Sequence, residues 1–198
     1  MGRKSKATVR KQEILSHFYQ VIIDEGFEGA SIAKIAKRMD VNPSLLIHYF
    51  STKESMILGL IEYIISTYSS HIMPDFSREA DPAQRWEDVL DVMSQIQWDQ
   101  IMDNIVFYSC YTLSLRNSEI RAQFTALYDR ISETLTQEIG HANEAGIIEV
   151  EDPGRASEMI ITLMEGANFY QHLRLGVSDR SSRATFLRST IVSLIQSM

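Results

Sequence analysis

Along the start of the chain, apolar side chains recur with a helical period. Val9, Ile14, Leu15, Phe18, Val21 and Ile22 mark one stripe between Thr8 and Glu25. Gly26 supplies a C-terminal cap, and Phe27 is placed to fold back onto the stripe. Ser31 can cap a second helix in which Ile32, Ile35 and Ala36 face inward while Lys34, Lys37 and Arg38 face water. That helix ends near Met39; Asp40 takes the turn and Val41 packs. Asn42 then caps a third helix with Pro43 at its first position. This helix is very short, from Pro43 to about Phe50. Leu46 and Phe50 lie four apart and are expected to be buried, whereas Ser44, Leu45, His48 and Tyr49 are expected to be partly exposed. Thr52 caps the next helix, with Ser55 where a capping box would carry Glu, so the box reads as incomplete. Two short helices joined by a tight turn and flanked by basic residues make a helix-turn-helix, whose second helix enters the DNA major groove.

The rest of the pattern is helix after helix. Thr52 to about Ile72 links onward from the head and is stopped by Pro74. Asp81-Pro82 opens a helix with Trp86, Val89, Leu90, Met93, Ile96 and Gln97 on its inner face. A third segment, from about Gln100 to Leu115, is apolar and aromatic-rich, and Ser118 to about Asn143 carries Ile120, Phe124, Leu127, Ile131, Leu135 and Ile139. After a loop from Glu144 to Asp152, Pro153 starts a helix to about Leu175, and Asp179 to Gln196 closes the pattern. The predicted class is all-α: a three-helix head, residues 1–58, and a larger helical body, residues 59–198.

Composition supports this picture. Four prolines and nine glycines in 198 residues favour long helices over a turn-rich β fold. A single cysteine, Cys110, excludes an internal disulfide or a cysteine zinc site and fits a reducing cytoplasm. No apolar run approaches membrane-spanning length, and no apolar signal core follows the basic start. The net charge of −7 is unevenly spread. Residues 1–58 hold nine Lys/Arg against six Asp/Glu, a balance of +3, and the remainder holds ten Arg against 20 acids, a balance of −10. All six lysines lie in the first segment. A basic head on an acidic body points to a head that meets a polyanion, although a solvated basic terminus gives the same count.

Catalytic motifs are missing: there is no GxSxG, no phosphate-binding glycine loop and no HExxH. The five histidines are scattered, with no pair at ligand spacing. The expected reading is a non-enzyme without metal or cofactor.

The stretch GFEGASIAKIAKRMDVNPSLLIHYFSTKESMI resembles the DNA-binding head of TetR-family transcriptional regulators. The likeness covers roughly residues 8–60: the G-F after the first helix, the S-I-x-x-I-A run, the turn with Val41 and the H-Y-F-x-x-K ending. Asp40 stands where glycine is common, and Ile47 where an aromatic residue is common. The resemblance implies a cytoplasmic homodimer that responds to a ligand, most often a repressor, with the last two helices pairing across the dimer axis.

On that basis Ser31, Lys34, Tyr49 and Lys53 are expected at phosphates, and Ser44, Leu45 and His48 at base edges or the groove wall, with Asn42 and Pro43 setting the helix start. Arg3, Lys4 and Lys6 would form a flexible arm. Trp98, Met102, Phe107, Tyr108, Tyr111, Phe124, Tyr128, Phe169 and Tyr170 are candidates for a pocket taking an apolar or amphipathic ligand, or for plain core. Glu165, Asn168 and His172 are polar positions on an otherwise apolar helix, suited to orienting a ligand or lining a subunit interface. Ile160, Met164, Phe186, Leu187, Ile191, Leu194 and Ile195 are the expected dimer contacts. The expected partners are near-palindromic double-stranded DNA, a small-molecule effector and a second copy of the chain. A DNA-binding protein of this fold that answers to no small molecule, or a helical interaction module, are the alternatives.

Overall fold

The computed structural model describes residues 6–72, 76, 81–95, 103–173 and 180–198. Nine helices lie among them: α1 (Lys6–Gly29), α2 (Ile32–Arg38), α3 (Pro43–Tyr49), α4 (Lys53–Ile72), α5 (Pro82–Gln95), α6 (Asn104–Ser114), α7 (Ser118–Glu144), α8 (Pro153–His172) and α9 (Arg180–Gln196). None of the described helices is long and apolar enough to cross a membrane.

The helices gather into two compact units. The first combines residues 1–68 with 99–125; the second combines 69–98 with 126–198. The first is therefore not a contiguous head: α6 returns to pack on α1. The Asp103 backbone N–H, just ahead of α6, donates to the Tyr19 hydroxyl of α1 at 2.6 Å. Burial raises the Tyr19 pKa above its ordinary value, and the bond from Asp103 pulls the other way.

Local chemistry sets the element boundaries in unit 1. Gly26 adopts φ 75°, a left-handed conformation that breaks the regular helix inside α1. Phe27 then turns back, its ring centroid 6.4 Å from that of Phe18. Ser31 Oγ accepts from the Lys34 N–H and Asn42 Oδ1 from the Ser44 N–H at 2.9 Å, so both short helices start with side-chain caps. Asp40 takes the turn between them at φ 53°. At α4 the expectation of an incomplete capping box is corrected. Ser55 N–H donates to Thr52 Oγ1 at 3.0 Å, and Thr52 N–H donates to Ser55 Oγ at 3.2 Å. Serine closes the reciprocal pair because its hydroxyl accepts where Glu usually does. The core beneath is Ile14, Phe18, Ile22, Ile35, Leu46, Met56, Leu60, Ile61 and Ile64, all but sealed from water.

In unit 2, α5 and α8 both pack on α9. Trp86, Val89, Leu90 and Met93 are buried as their period requires, while Ile96 and Gln97 lie outside the described residues. Arg85 reaches the buried Glu138 carboxylate with two N–H groups, at 2.5 and 2.6 Å. This bidentate pair joins α5 to α7. The α7–α8 connection is clamped by Asn143, whose amide exchanges hydrogen bonds with Val150 N–H and C=O.

Candidate nucleic-acid interface and candidate ligand site

The third helix is built as an inside-out wedge. Leu46 is fully buried and Phe50 nearly so, as the four-residue spacing requires. Ser44 and His48 are exposed on the other side, Leu45 and Tyr49 are half-buried, and Ile47 is 51% exposed. His48 and Tyr49 meet edge to face with centroids 5.2 Å apart. Asn42 and Pro43 are exposed at the start of the helix, as expected for residues that shape its entry.

The expected phosphate contacts carry partners of their own. Lys34 pairs with Glu25, and Arg38 with Asp24, so two cations of α2 are matched by carboxylates at the end of α1. Lys53 lies 5.9 Å over the Phe27 ring, a cation–π contact that orients it. Lys6 is exposed; Arg3 and Lys4 lie outside the described residues.

The aromatic candidates divide between the two units. In unit 1, Phe107 and Phe124 are buried and meet edge to face at 5.6 Å, and Tyr111 meets Phe124 at 5.7 Å while remaining 43% exposed. Tyr108, half-buried, stands against Phe107. Cys110 is buried in the same helix, and burial pushes its thiol up to about 12. In unit 2, Tyr128 hydrogen-bonds the Glu165 carboxyl, which burial pushes up to about 6; the Tyr128 bond acts in the opposite direction. Asn168 lies one turn further along α8, its Nδ2 buried and without a hydrogen-bond partner among the described residues. Trp98 and Met102 fall outside the described residues, as does the His172 side chain.

Burial divides the residues expected at the dimer contact. Ile160, Met164, Leu187, Ile191 and Ile195 are buried within their own unit, and Leu194 is half-buried. Of that set Phe186 alone is a largely exposed apolar group, at 66%. Met159, Phe169 and Tyr170 of α8, and Leu173 just after it, are exposed as well. A helical period marks apolar faces but does not say which one turns to its own core.

Two family models cover most of the chain. Residues 14–60 match the model for bacterial regulatory proteins of the tetR family, and residues 83–197 match the tetracyclin repressor-like C-terminal domain. The chain belongs to the TetR family. One relative is the nucleoid occlusion factor SlmA of Vibrio campbellii, 31% identical over 137 residues, or 67% of this chain and 68% of the relative. A TetR transcription regulator from Haloarcula marismortui superposes with a TM-score of 0.81 at 17% identity, covering 96% of this chain and 98% of that one. A transcriptional regulator from Saccharomonospora viridis in complex with choline gives 0.74 at 17% identity, covering 96% of each.

As a TetR-family transcriptional regulator, the chain has features that the pattern of its residues did not reveal. Tyr19 sits on an amphipathic helix like any half-buried tyrosine, and nothing in its neighbours points to the distant Asp103. Glu25 and Asp24 read as solvated acids until α2 brings Lys34 and Arg38 beside them. Five or more residues separate each carboxylate from its cation, so no helical spacing betrays the pairs.

Proposed function

We propose that this TetR-family chain is a homodimeric repressor that binds a near-palindromic operator through α3 and leaves it when an amphipathic ligand binds the helical body. The observation that carries the reading is the α3 wedge: Leu46 anchors it, and Ser44, Leu45 and His48 stand outward on a helix opened by Asn42 and Pro43. Arg3, Lys4 and Lys6 would add backbone contacts from the arm, with Ser31, Lys34, Tyr49 and Lys53 at phosphates. One recognition helix reads only a few base pairs, so two copies, about 34–36 Å apart or a multiple of it, are needed for specificity. The apolar groups exposed on α8 and α9 support pairing there.

For the effector, Glu165 and Tyr128 supply a shielded carboxylate and hydroxyl on otherwise apolar helices. That set suits the cationic end of an amphipathic molecule, and a neighbour of the same fold holds choline. The ligand acts only by favouring a conformation whose heads are wrongly spaced, with α4 as the lever running out of the head.

Operator selection followed by binding at several salt concentrations tests the DNA reading. The Lys53→Ala, Tyr49→Phe double variant should weaken binding to all sequences and flatten the salt slope by about two units, roughly one for each Lys53 of the dimer, the neutral Tyr49 contact contributing affinity but no slope. Leu45 or Ser44 substitutions should change base preference instead. A double variant that binds as tightly as wild type would refute these contacts. Thermal stabilisation by choline or longer quaternary ammonium compounds, lost in Glu165→Gln, tests the effector reading; no stabilisation favours regulation without a small molecule.

A further inference from the structure

We propose that unit 1 carries a second ligand site, a cleft that accepts a small amphipathic zwitterion such as an apolar amino acid or dipeptide with free amino and carboxyl ends. The cleft holds about 520 Å³ between α1, the end of α3, α4 and the start of α7. That volume lies within the range of small-molecule sites. Its floor is apolar: Leu15 and Phe50, both nearly buried, and Leu58. Gly59 is what allows the floor to form. A Cβ there would lie 2.9 Å from Cε1 of Phe50, so any other residue would displace the ring.

Of the polar groups that line the cleft, Lys11, Glu62 and Gln123 define the ligand. Lys11 on α1 and Glu62 on α4 line the same cleft and carry opposite charges, yet neither makes an ion pair among the described residues. Lys11 instead hangs 5.7 Å over the Phe50 ring. Gln123 of α7 also lines the cleft, and its side-chain Oε1 is buried without a hydrogen-bond partner among the described residues. A buried acceptor left unsatisfied is costly, and a ligand N–H would relieve it. The complement is one molecule with a carboxylate for Lys11, an ammonium for Glu62 or Gln123 Oε1, and an apolar side chain for Leu15, Leu58 and Phe50. Tyr49 of α3 forms part of the same wall. Occupancy therefore bears directly on the recognition helix, a consequence that rests on the DNA-binding reading; binding itself does not.

The test uses the full chain without DNA and the dipeptide Leu-Phe as probe, followed by calorimetry or ligand-observed NMR. The free dipeptide should bind, and N-acetylation or C-amidation should each weaken it about two- to fivefold, the range for one exposed charge pair. Glu62→Gln should erase the penalty of acetylation alone, and Lys11→Gln that of amidation alone. Gln123→Leu should weaken all three probes. Failure of Leu-Phe to bind at millimolar concentration overturns the proposal, as does binding indifferent to all three substitutions. A separate operator-binding measurement with and without Leu-Phe reads the coupling to α3. If Leu-Phe binds without DNA but operator affinity is unchanged, the site stands and the link to α3 falls.

Discussion

Helices α3 and α8 both turn one face to a core and leave the other to water, but the balance of exposed groups differs. On α3 the outward groups include Ser44 and His48 beside a single exposed large apolar group, Ile47, within a head of positive balance. On α8 they include Met159, Phe169 and Tyr170, joined by Leu173 just past its end and by Phe186 of α9. A polar face beside cations suits a hydrated polyanion. An exposed apolar face of large side chains suits a second protein surface. The same amphipathic construction thus gives two surfaces of different chemistry, and the proposed partners differ accordingly.

The sharpest way to break this comparison is to remove the anchor of α3. Leu46→Ala should destabilise the fold by about 2–5 kcal/mol, as for other buried leucines, and abolish operator binding with it. Chemical denaturation reads the first effect and a binding assay the second. If Leu46→Ala were as stable as wild type, α3 would not be held as described.

The counterpart on the body should behave differently. Phe169→Glu with Phe186→Glu should leave helix content intact but weaken self-association by about 2 kcal/mol or more, since charges would replace aromatic anchors. Sedimentation equilibrium should show a dimeric wild type and a monomeric variant. An unchanged association constant would move the interface elsewhere.

A smaller effect concerns Glu165. Its folded pKa of about 6 lies above the ordinary 4.5, so the folded state binds the extra proton between those values. Stability should therefore be greatest below pH 4.5 as far as this group is concerned, and fall as pH rises through 6, by at most about 2 kcal/mol. Glu165→Gln should flatten that part of the stability profile and be more stable than wild type above pH 6. A variant that reproduces the wild-type slope would assign it to another group.

The smallest expected change sharpens the head itself. Glu25→Gln frees Lys34 from its carboxylate partner while leaving the cation in place. Operator affinity should rise by about 0.2–1 kcal/mol, the scale of an exposed ion pair. The salt dependence should steepen by up to about one unit, provided that Lys34 then reaches a phosphate. Weaker binding in this variant would mean that Glu25 positions Lys34 for DNA instead of restraining it.

Sequence by itself determined the parts of this molecule whose causes are local. Caps at Ser31 and Asn42, the left-handed turn at Asp40, the break at Gly26 and the buried pair Leu46 and Phe50 each follow from a residue and its neighbours within one or two turns. Backbone conformation and hydrogen bonding at those sites leave few alternatives, so the helix-turn-helix was legible. What tertiary structure alone decided was which distant groups meet. It set α6 on α1 through Tyr19 and Asp103, matched Lys34 and Arg38 with acids, and placed Tyr128 beside Glu165. It also turned Ile160, Met164, Leu187, Ile191 and Ile195 inward while leaving Phe169 and Phe186 in water. Periodicity fixes that a helix has an apolar face, but the rotation of each helix about its axis depends on how the others pack, which no local pattern encodes.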